Sequence, residues 1–471
     1  MTIFAARPYA VAVRATVDFF LNGERISLSG DDPRRTVLTW LRERRQLVGT
    51  KEGCAEGDCG ACTAALAEVD AAGALRILPV NTCILCLGAL DGRELITVES
   101  LKQHPVQRAM VDCHGSQCGF CTPGFVMALY AHYEAGGSEA REALCDAIAG
   151  NLCRCTGYRP ILDAGMQAIA ARGGLQAEHV ALRERIASLP RASALVDGFF
   201  VPDTVAELAE YLAAHPNATI LAGGTDVGLL ITKQHRDLGD VVYTGRVAEL
   251  KDLKEEASHF DIGAAVTYAE AYPALGSIHP DIAEILRRLG AAQVRATGTL
   301  AGNIANGSPI GDSMPVLLAL GARLTLQKSA AKRDVPLDAF YTGYRQSVLQ
   351  PGEFIRSVRV PKLRPGTKFA AYKVSKRIDQ DISALCAAFC LEGKSARFGF
   401  GGMAATPARA TNAEAAYVRG GLEAACAALA EDFKPLSDQR ASSWYRLTAA
   451  QNLLRKFDAG VAARALAEVT A

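Results

Sequence analysis

The amino-acid sequence predicts an α+β protein of several domains, and three observations carry that prediction. Its 471 residues call for about three domains at roughly 100–200 residues each. Eleven of the fourteen cysteines fall between Cys54 and Cys155, so one segment is chemically unlike the rest. Beyond about residue 196 the crowding gives way to helix-period and strand-period runs with only Cys386, Cys390 and Cys426 left.

Composition narrows the function classes. With 51 basic against 50 acidic residues and a net charge of +1, nothing draws the whole chain to nucleic acid or an anionic membrane. Hydrophobic residues at 49% and charged residues at 21% fit globular cores and exclude disordered and fibrous classes. No apolar run approaches the ~18 residues of a membrane span. Arg7, Pro8 and Arg14 break up the apolar N-terminus, which leaves no signal-peptide core and predicts a loose extension over 1–15 on a cytoplasmic protein. Crowded cysteines in a long unexported chain point to metal ligation rather than disulfides.

The first element is a hairpin. Val17 to Leu28 reads as two short strands joined by Asn22-Gly23, a pair suited to a type I′ turn because both central positions need positive φ. A helix follows, because Val37, Leu38 and Leu41 recur at helical spacing. Next, GTKEGCAEGDCGACT gives Cys54-x4-Cys59-x2-Cys62, with Cys83 in NTCILC. That is the plant-type spacing for four thiolates on a two-iron, two-sulfur cluster. Gly49, Gly53, Gly57 and Gly60 suit a loop that must turn tightly and aim backbone N–H groups at sulfur. A zinc site, the competing reading, prefers paired CxxC ligands or histidines, and no histidine lies near.

The second cysteine group is Cys113, Cys118 and Cys121, then Cys153 and Cys155. The stretches FVMALYAHYEA after Cys121 and PILDAGMQAIAA after Cys155 read as helices, which predicts a small bundle with its metal where helix ends meet. Cys113, Cys118 and Cys121 repeat the x4, x2 spacing, but Cys118, Cys121, Cys153 and Cys155 form four ligands as two tight pairs and are preferred. Cys86, Cys113, Cys145, Cys386, Cys390 and Cys426 then read as buried free thiols. The charged stretch over 178–195, broken by Pro190, reads as a linker, with a structured arm as the alternative.

In the cysteine-poor part, FVPDTVAELAEYLAAHP reads as a capped helix. ATILAGGTDVGLLI reads as a buried strand running into a glycine turn that lets backbone N–H groups approach a phosphate. TGTLAGNIANGSPIGDSMPVLLALGA reads as a long loop of small and hydroxyl residues before an apolar run. Gly399-Phe-Gly401-Gly-Met-Ala404 lacks the strand–turn–helix context of a Rossmann fingerprint, since Pro407 follows too soon. The eight histidines are scattered and read as surface or structural residues. GxSxG and GxxxxGK motifs are absent.

The strings KEGCAEGDCGACT, HGSQCGFCTPGF and GNLCRCTGYRPI resemble the iron–sulfur half of the molybdenum hydroxylases, the xanthine dehydrogenase and aldehyde oxidase family. ILAGGTDVG, TLAGNIANGSPIGD and YKVSKRIDQDIS resemble its FAD domain, and FKPLSDQRASSWYRL its C-terminal flavoprotein subdomain. The resemblance implies a β-grasp 2Fe-2S ferredoxin domain over 16–100 and a four-helix 2Fe-2S domain over 101–177. It further implies an α/β FAD-binding domain of the family's non-Rossmann type over 196–365 and an α+β subdomain over 366–471. All eight implied ligand positions are cysteine: Cys54, Cys59, Cys62 and Cys83 for one cluster, Cys118, Cys121, Cys153 and Cys155 for the other. The position of Cys113 is not a ligand in the family.

Carried over by position, Ile220, Leu221, Ala222, Gly223, Gly224, Thr225, Asp226 and Val227 would line the flavin diphosphate. Thr299, Leu300, Ala301, Gly302 and Asn303 would form a second wall. Asp312 would accept a hydrogen bond from the cofactor, and Ile355 and Lys373 would complete the site. Two positions depart from the pattern: Ala301 replaces a usual glycine, and Leu289 replaces a frequent phenylalanine at the flavin ring, forgoing stacking of roughly 0.5–1.5 kcal/mol. The resemblance implies an electron-transfer subunit with no catalytic acid or base of its own. It would pair with a large subunit holding the molybdopterin cofactor, in a dimer of heterodimers, and pass electrons from hypoxanthine or xanthine to NAD. The alternatives are a partner that oxidises an aldehyde or another N-heterocycle, and a stand-alone iron–sulfur flavoprotein. A zinc-stabilised binding protein would be colourless.

Overall fold

A computed structural model of the chain describes residues 13–70, 72–174 and 176–461. Residues 1–12 of the expected N-terminal extension lie outside the described residues. The chain divides into two compact units, one running to Glu249 and including Ala292–Thr297, the other made of Leu250–Ala291 and Gly298–Ala471. Among the described residues no helix is long and apolar enough to cross a membrane.

The first unit opens with the expected hairpin. Strands Val17–Leu21 and Glu24–Leu28 pair antiparallel, and Asn22 and Gly23 both take positive φ, 53° and 85°. Strand Glu94–Ile96 then inserts parallel to Val17–Leu21 and antiparallel to Thr63–Val69. The result is a five-stranded β-grasp sheet, completed by Leu75–Asn81. Helix Val37–Glu43, capped by Thr36, buries Val37, Leu38, Trp40 and Leu41. Phe19 meets Trp40 edge to face at 5.7 Å.

Four helices follow: Pro105–Asp112, Thr122–Glu134, Arg141–Ile148 and Arg159–Ala170. Their core is built from Val106, Met110, Phe125, Leu129, Leu144 and Ile161. The segment read as a linker over 178–195 is helical across Gln176–Ala187. Leu182 and Ile186, one turn apart, bury against Ala65, Ile77 and Met127, so an apolar pair within a charged stretch docks it. His179 reinforces this by meeting Glu134 at 2.7 Å, the same carboxylate that His104 reaches at 3.1 Å.

The first unit ends in a four-stranded sheet of Ala194–Val196, Phe199–Val201, Val241–Tyr243 and Thr219–Leu221. Helix Val205–Ala214 carries the expected cap, a reciprocal Thr204/Glu207 box. Over 218–231, expected as a buried strand running into a glycine turn, the strand is Thr219–Leu221, with Ile220 36% exposed. The chain leaves the sheet after Leu221, and Gly224 in the turn that follows takes φ +77°.

The second unit holds a five-stranded antiparallel sheet, in which Phe354–Pro361 lies between His259–Gly263 and Arg323–Lys328. A four-stranded sheet of Lys368–Val374, Leu385–Glu392, Ser395–Gly401 and Ala408–Arg409 packs Phe389, Phe398 and Phe400 against Phe457 of the C-terminal helix Ser443–Asp458. Gly399 and Gly401 sit inside strand Ser395–Gly401, in keeping with the rejected Rossmann fingerprint. Residues 299–306, read as loop, form helix Leu300–Asn306. Thr299 caps its start, Leu300 and Ile304 are buried one turn apart, and Gly307 ends it at φ 62°.

Candidate functional site

Four thiols meet in the β-grasp lobe. The loop between helix Val37–Glu43 and strand Thr63–Val69 carries Cys54, Cys59 and Cys62, and the turn after Leu75–Asn81 carries Cys83. Cys62 and Cys83 Sγ are 3.3 Å apart. Backbone N–H groups of Asp58 and Cys59 donate to Cys54 Sγ, and that of Cys54 donates to Cys59 Sγ, each at 3.3 Å. Thiol hydrogen bonds from Cys59 and Cys83, then the backbone donors, hold Cys54 far below the ordinary thiol range. The Cys83 thiol lowers Cys62 by a hydrogen bond, while Cys59 and Cys83 are raised as the proton-holding members. Proton-sharing thiols of this kind release protons when metal binds.

The glycines serve this loop. Gly57 and Gly60 take φ +77° and +67°, and a Cβ on Gly53 would stand 2.7 Å from Cys59 Sγ. The sulfurs pair as Cys54/Cys59 and Cys62/Cys83, with a Cys54–Cys83 contact joining the pairs, an arrangement that two irons with two thiolates each would fit. Zinc asks for three or four donors about one point. Among the described residues no group of three or more His, Cys, Asp or Glu is disposed to hold a single ion.

The second set stands where helix ends meet. Cys121 is the N-cap of Thr122–Glu134, and Cys153 and Cys155 precede helix Arg159–Ala170. Cys118 pairs with Cys155, and Cys121 with Cys153. Burial pushes Cys153 up, but hydrogen bonds from the Thr156 hydroxyl and from the Thr156 and Cys155 backbone bring it down to about 7. Cys121, expected to gain from the helix N-terminus, is instead pushed up to about 12 by burial and by Cys153. Tyr158, at φ 71°, donor or acceptor by its hydroxyl, accepts the Cys153 N–H at 2.9 Å. Cys113 lies apart from these pairs and reaches Gln167 Oε1 at 3.2 Å. Of the six cysteines read as buried free thiols, Cys86, Cys386, Cys390 and Cys426 are buried, whereas Cys113 and Cys145 are only half-buried at the bundle's edge.

Residues expected to hold the flavin fall in both units, and each group has its own geometry. In the first unit Ile220 and Leu221 end a strand, Ala222 to Asp226 turn, and Val227 starts helix Val227–Thr232. Small residues keep side-chain bulk out of this turn, as the close approach of a diphosphate requires. The turn packs directly on the thiol site: a Cβ on Gly224 would lie 3.2 Å, and one on Gly228 2.3 Å, from the carbonyl oxygen of Ile84, next to Cys83. Lys233, capping the same helix, donates to the Cys54 carbonyl at 2.5 Å.

In the second unit, Thr299 Oγ1 accepts the Gly302 N–H at 2.9 Å, and Asn303 Oδ1 accepts from Tyr268 at 3.0 Å and Ser313 at 3.1 Å. Leu300 and Ala301 are buried. Ala301 lies within the helix, so it adopts an ordinary φ and favours the element as glycine would not. Lys373 Nζ donates to Asp312 Oδ2 at 2.7 Å and to the Arg288 carbonyl at 2.8 Å, while Ser383 donates to Asp312 Oδ1. Half-buried Leu289 therefore adjoins this buried pair through Arg288. Ile355, 6% exposed, lies on strand Phe354–Pro361, against which helix Leu300–Asn306 packs. Tyr268, Ser313, Ser383 and Arg288 were not legible as site residues, because only tertiary hydrogen bonds bring them in. Thr156 and Tyr158 lay within the quoted CRCTGY string.

Family models match successive stretches of the chain. They are the 2Fe-2S iron-sulfur cluster binding domain over 19–86, the [2Fe-2S] binding domain over 97–166, the FAD binding domain in molybdopterin dehydrogenase over 193–363, and the CO dehydrogenase flavoprotein C-terminal domain over 370–460. Xanthine dehydrogenase of Drosophila subobscura is 34% identical over 461 residues, covering 82% of this chain and 34% of that protein. That of Emericella nidulans is 33% identical over 473 residues, covering 85% and 35%. The chain thus spans about a third of the length of these curated relatives. A carbon monoxide dehydrogenase chain from Hydrogenophaga pseudoflava superposes with a TM-score of 0.51 at 26% identity, over 55% of this chain and 94% of that one. One from Oligotropha carboxidovorans gives 0.51 at 27%, over 54% and 94%. With iron–sulfur modules followed by this type of flavin module, the chain belongs to the molybdenum hydroxylase family and carries its iron–sulfur and FAD-binding part.

Proposed function

We propose that the chain is the electron-transfer subunit of a cytoplasmic xanthine dehydrogenase, oxidising hypoxanthine to xanthine and xanthine to urate together with a large molybdenum-cofactor subunit, in a dimer of heterodimers. The observation that carries this reading is a spatial series within the first unit. Exposed Cys118 and Cys155 lie at one end, Leu152 beside Cys153 donates its N–H to the Cys59 carbonyl at 2.9 Å, and Ile84 beside Cys83 packs on the Gly224–Gly228 turn. Electrons would enter at Cys118, Cys121, Cys153 and Cys155, pass to Cys54, Cys59, Cys62 and Cys83, and leave by the flavin turn for NAD. When bound, the clusters supply one-electron carriage and the flavin joins it to hydride transfer.

The chain's own residues give that route its shape. The eight cysteines are the ligands, and the functional divisions fall at 16–100, 101–177, 196–365 and 366–471. Ile220 to Val227 would line the diphosphate and flavin, Thr299 to Asn303 would form the second wall, Asp312 would accept a hydrogen bond from the cofactor, Leu289 would offer its ring system an apolar face, and Ile355 and Lys373 would complete the site. Xanthine dehydrogenase relatives at 34% and 33% identity support the purine substrate.

The test is an anaerobic visible spectrum of the natively purified complex before and after xanthine, then NAD. Bleaching of cluster and flavin bands by xanthine and their recovery with NAD is the expected result. Bands that dithionite bleaches but xanthine does not, in a complex with its molybdenum subunit intact, would overturn the substrate and keep the wire.

A further inference from the structure

Between the two thiol sites lies a buried polar junction that neither ligand set explains. Cys59-Gly60 sits against the start of helix Thr122–Glu134 and against Gly150-Asn151. A Cβ on Gly60 would stand 2.3 Å from the Gly150 carbonyl oxygen, and one on Gly124 would stand 2.3 Å from that of Gly60. Two glycines, Gly60 and Gly124, therefore let the backbone next to Cys59 contact the helix start that follows Cys121 and the Gly150 carbonyl upstream of Cys153. Across this contact Leu152 N–H meets the Cys59 carbonyl at 2.9 Å. Cys153 and Cys59 are thereby joined through covalent bonds and one hydrogen bond.

Gln293 closes the junction from a distant part of the chain. It lies on the short helix Ala292–Thr297, packed on strand Leu75–Asn81 within the first unit, and is 1% exposed. Its Nε2 donates to Asn151 Oδ1 at 2.9 Å and to Thr63 Oγ1 at 3.2 Å. Asn151 Nδ2 in turn donates to the Gly60 carbonyl at 3.0 Å and to Thr63 Oγ1 at 3.3 Å, and Thr63 gives its own proton to the Gly60 carbonyl at 2.7 Å. These roles fix one another. Thr63 has a single proton, spent on Gly60, so both amides must turn donors toward it, and Asn151 Oδ1 is left facing Gln293.

The arrangement has an evident cost. Turning Nε2 into the junction leaves Gln293 Oε1 buried with no hydrogen-bond partner, an expensive state that an apolar side chain of similar shape would avoid. An amide retained here at that cost serves the groups it donates to. Resting on the two-cluster reading above, we propose that Gln293 is a positioning residue for electron passage between the two sites. Through Asn151 and Thr63 it holds the Cys59–Gly60 turn so that Leu152 N–H stays on the Cys59 carbonyl. In the step it serves, one electron leaves the reduced site at Cys118, Cys121, Cys153 and Cys155 and reduces the oxidised site at Cys54, Cys59, Cys62 and Cys83. No bond forms or breaks and no proton moves.

The test uses the natively purified complex with Gln293→Met, which keeps length and apolar packing, and Gln293→Glu, which sets an acceptor against Asn151 Oδ1. A sub-stoichiometric pulse of reductant is followed by rapid-freeze paramagnetic resonance, which resolves the two sites. The expected result is a rate of electron equilibration between them that falls roughly tenfold or more, as small misplacements cost in positioned reactions, with both signals, both midpoint potentials and the iron content as in the wild type. An unchanged rate with both signals intact overturns the proposal alone. Absence of a second cluster signal from the wild type overturns the two-cluster reading with it. Hydrogen exchange on the unaltered complex is independent of variant folding: the Leu152 amide must be strongly protected, and exchange as fast as in an exposed loop also overturns the proposal.

Discussion

At the Cys54 site two sulfurs are nearly out of water's reach, Cys62 at 1% and Cys83 at 2% exposure. At the Cys118 site two of the four thiols, Cys118 and Cys155, are exposed. The donors differ too. Backbone N–H groups in a glycine loop, itself held against a sheet, serve Cys54 and Cys59. The Thr156 hydroxyl and short-range backbone contacts serve Cys153. Since hydrogen bonds to sulfur and solvent exposure set a cluster's potential, the two sites are built to differ in potential and in access. On the proposed reading, the exposed one would meet a partner's electrons and the enclosed one would relay them toward the turn that packs on Ile84.

The comparison breaks most visibly at the ligands. Cys155→Ser is expected to remove one cluster's paramagnetic signal and leave the other, with little change in melting temperature. Cys62→Ser should remove the other signal and also lower the melting temperature, because its loop is buried. Loss of both signals from either variant would contradict separate sites.

Glycine substitutions give the next largest contrast. Gly60→Ala meets the Gly150 carbonyl at 2.3 Å and strains a φ of +67°, for a cost of about 3–5 kcal/mol in chemical denaturation. Gly119→Ala has φ +84° but nothing within 4 Å of its Cβ, so about 1–2 kcal/mol is expected. A smaller effect is kinetic: an iron chelator should bleach the Cys118 site before the Cys54 site, as read from the order in which the two signals decay.

Weaker still is a pH effect confined to the helical side. Burial works against the Glu134 charge, but hydrogen bonds from His104 and His179 hold the carboxyl below its ordinary 4.5. A depressed carboxylate adds stability above the unfolded value and loses it as pH falls through the lower folded one. Stability should therefore fall as pH is lowered from about 4.5, and Glu134→Gln should make that fall smaller by at most about 1 kcal/mol, as read from chemical denaturation at each pH. Cys113→Ser, apart from both thiol sets, should leave both signals unchanged.

What the sequence disclosed follows the range of the forces involved. The Asn22-Gly23 turn, the Thr204 cap and the Cys54-x4-Cys59-x2-Cys62 loop are local, and each is legible because the residues that need one another are adjacent. Where the reading failed, packing outweighed composition. The charged stretch at 178–195 hides Leu182 and Ile186 one turn apart, and the small residues at 299–306 form a helix once Leu300 and Ile304 find a core. Gln293 carried no signal at all, since its partners lie 142 and 230 residues away. The resemblance supplied the flavin residues by position. Only the tertiary structure joins Asp312 to Lys373 and Ser383.

The central claim is that two unlike iron–sulfur sites on one chain form a relay toward a flavin. Its most direct test is a potentiometric titration of the natively purified complex, monitored by paramagnetic resonance for the clusters and visible absorption for the flavin. Two cluster signals with equal spin, different midpoint potentials and an accompanying flavin band are the predicted result. A single cluster signal, or zinc in place of iron, would contradict it.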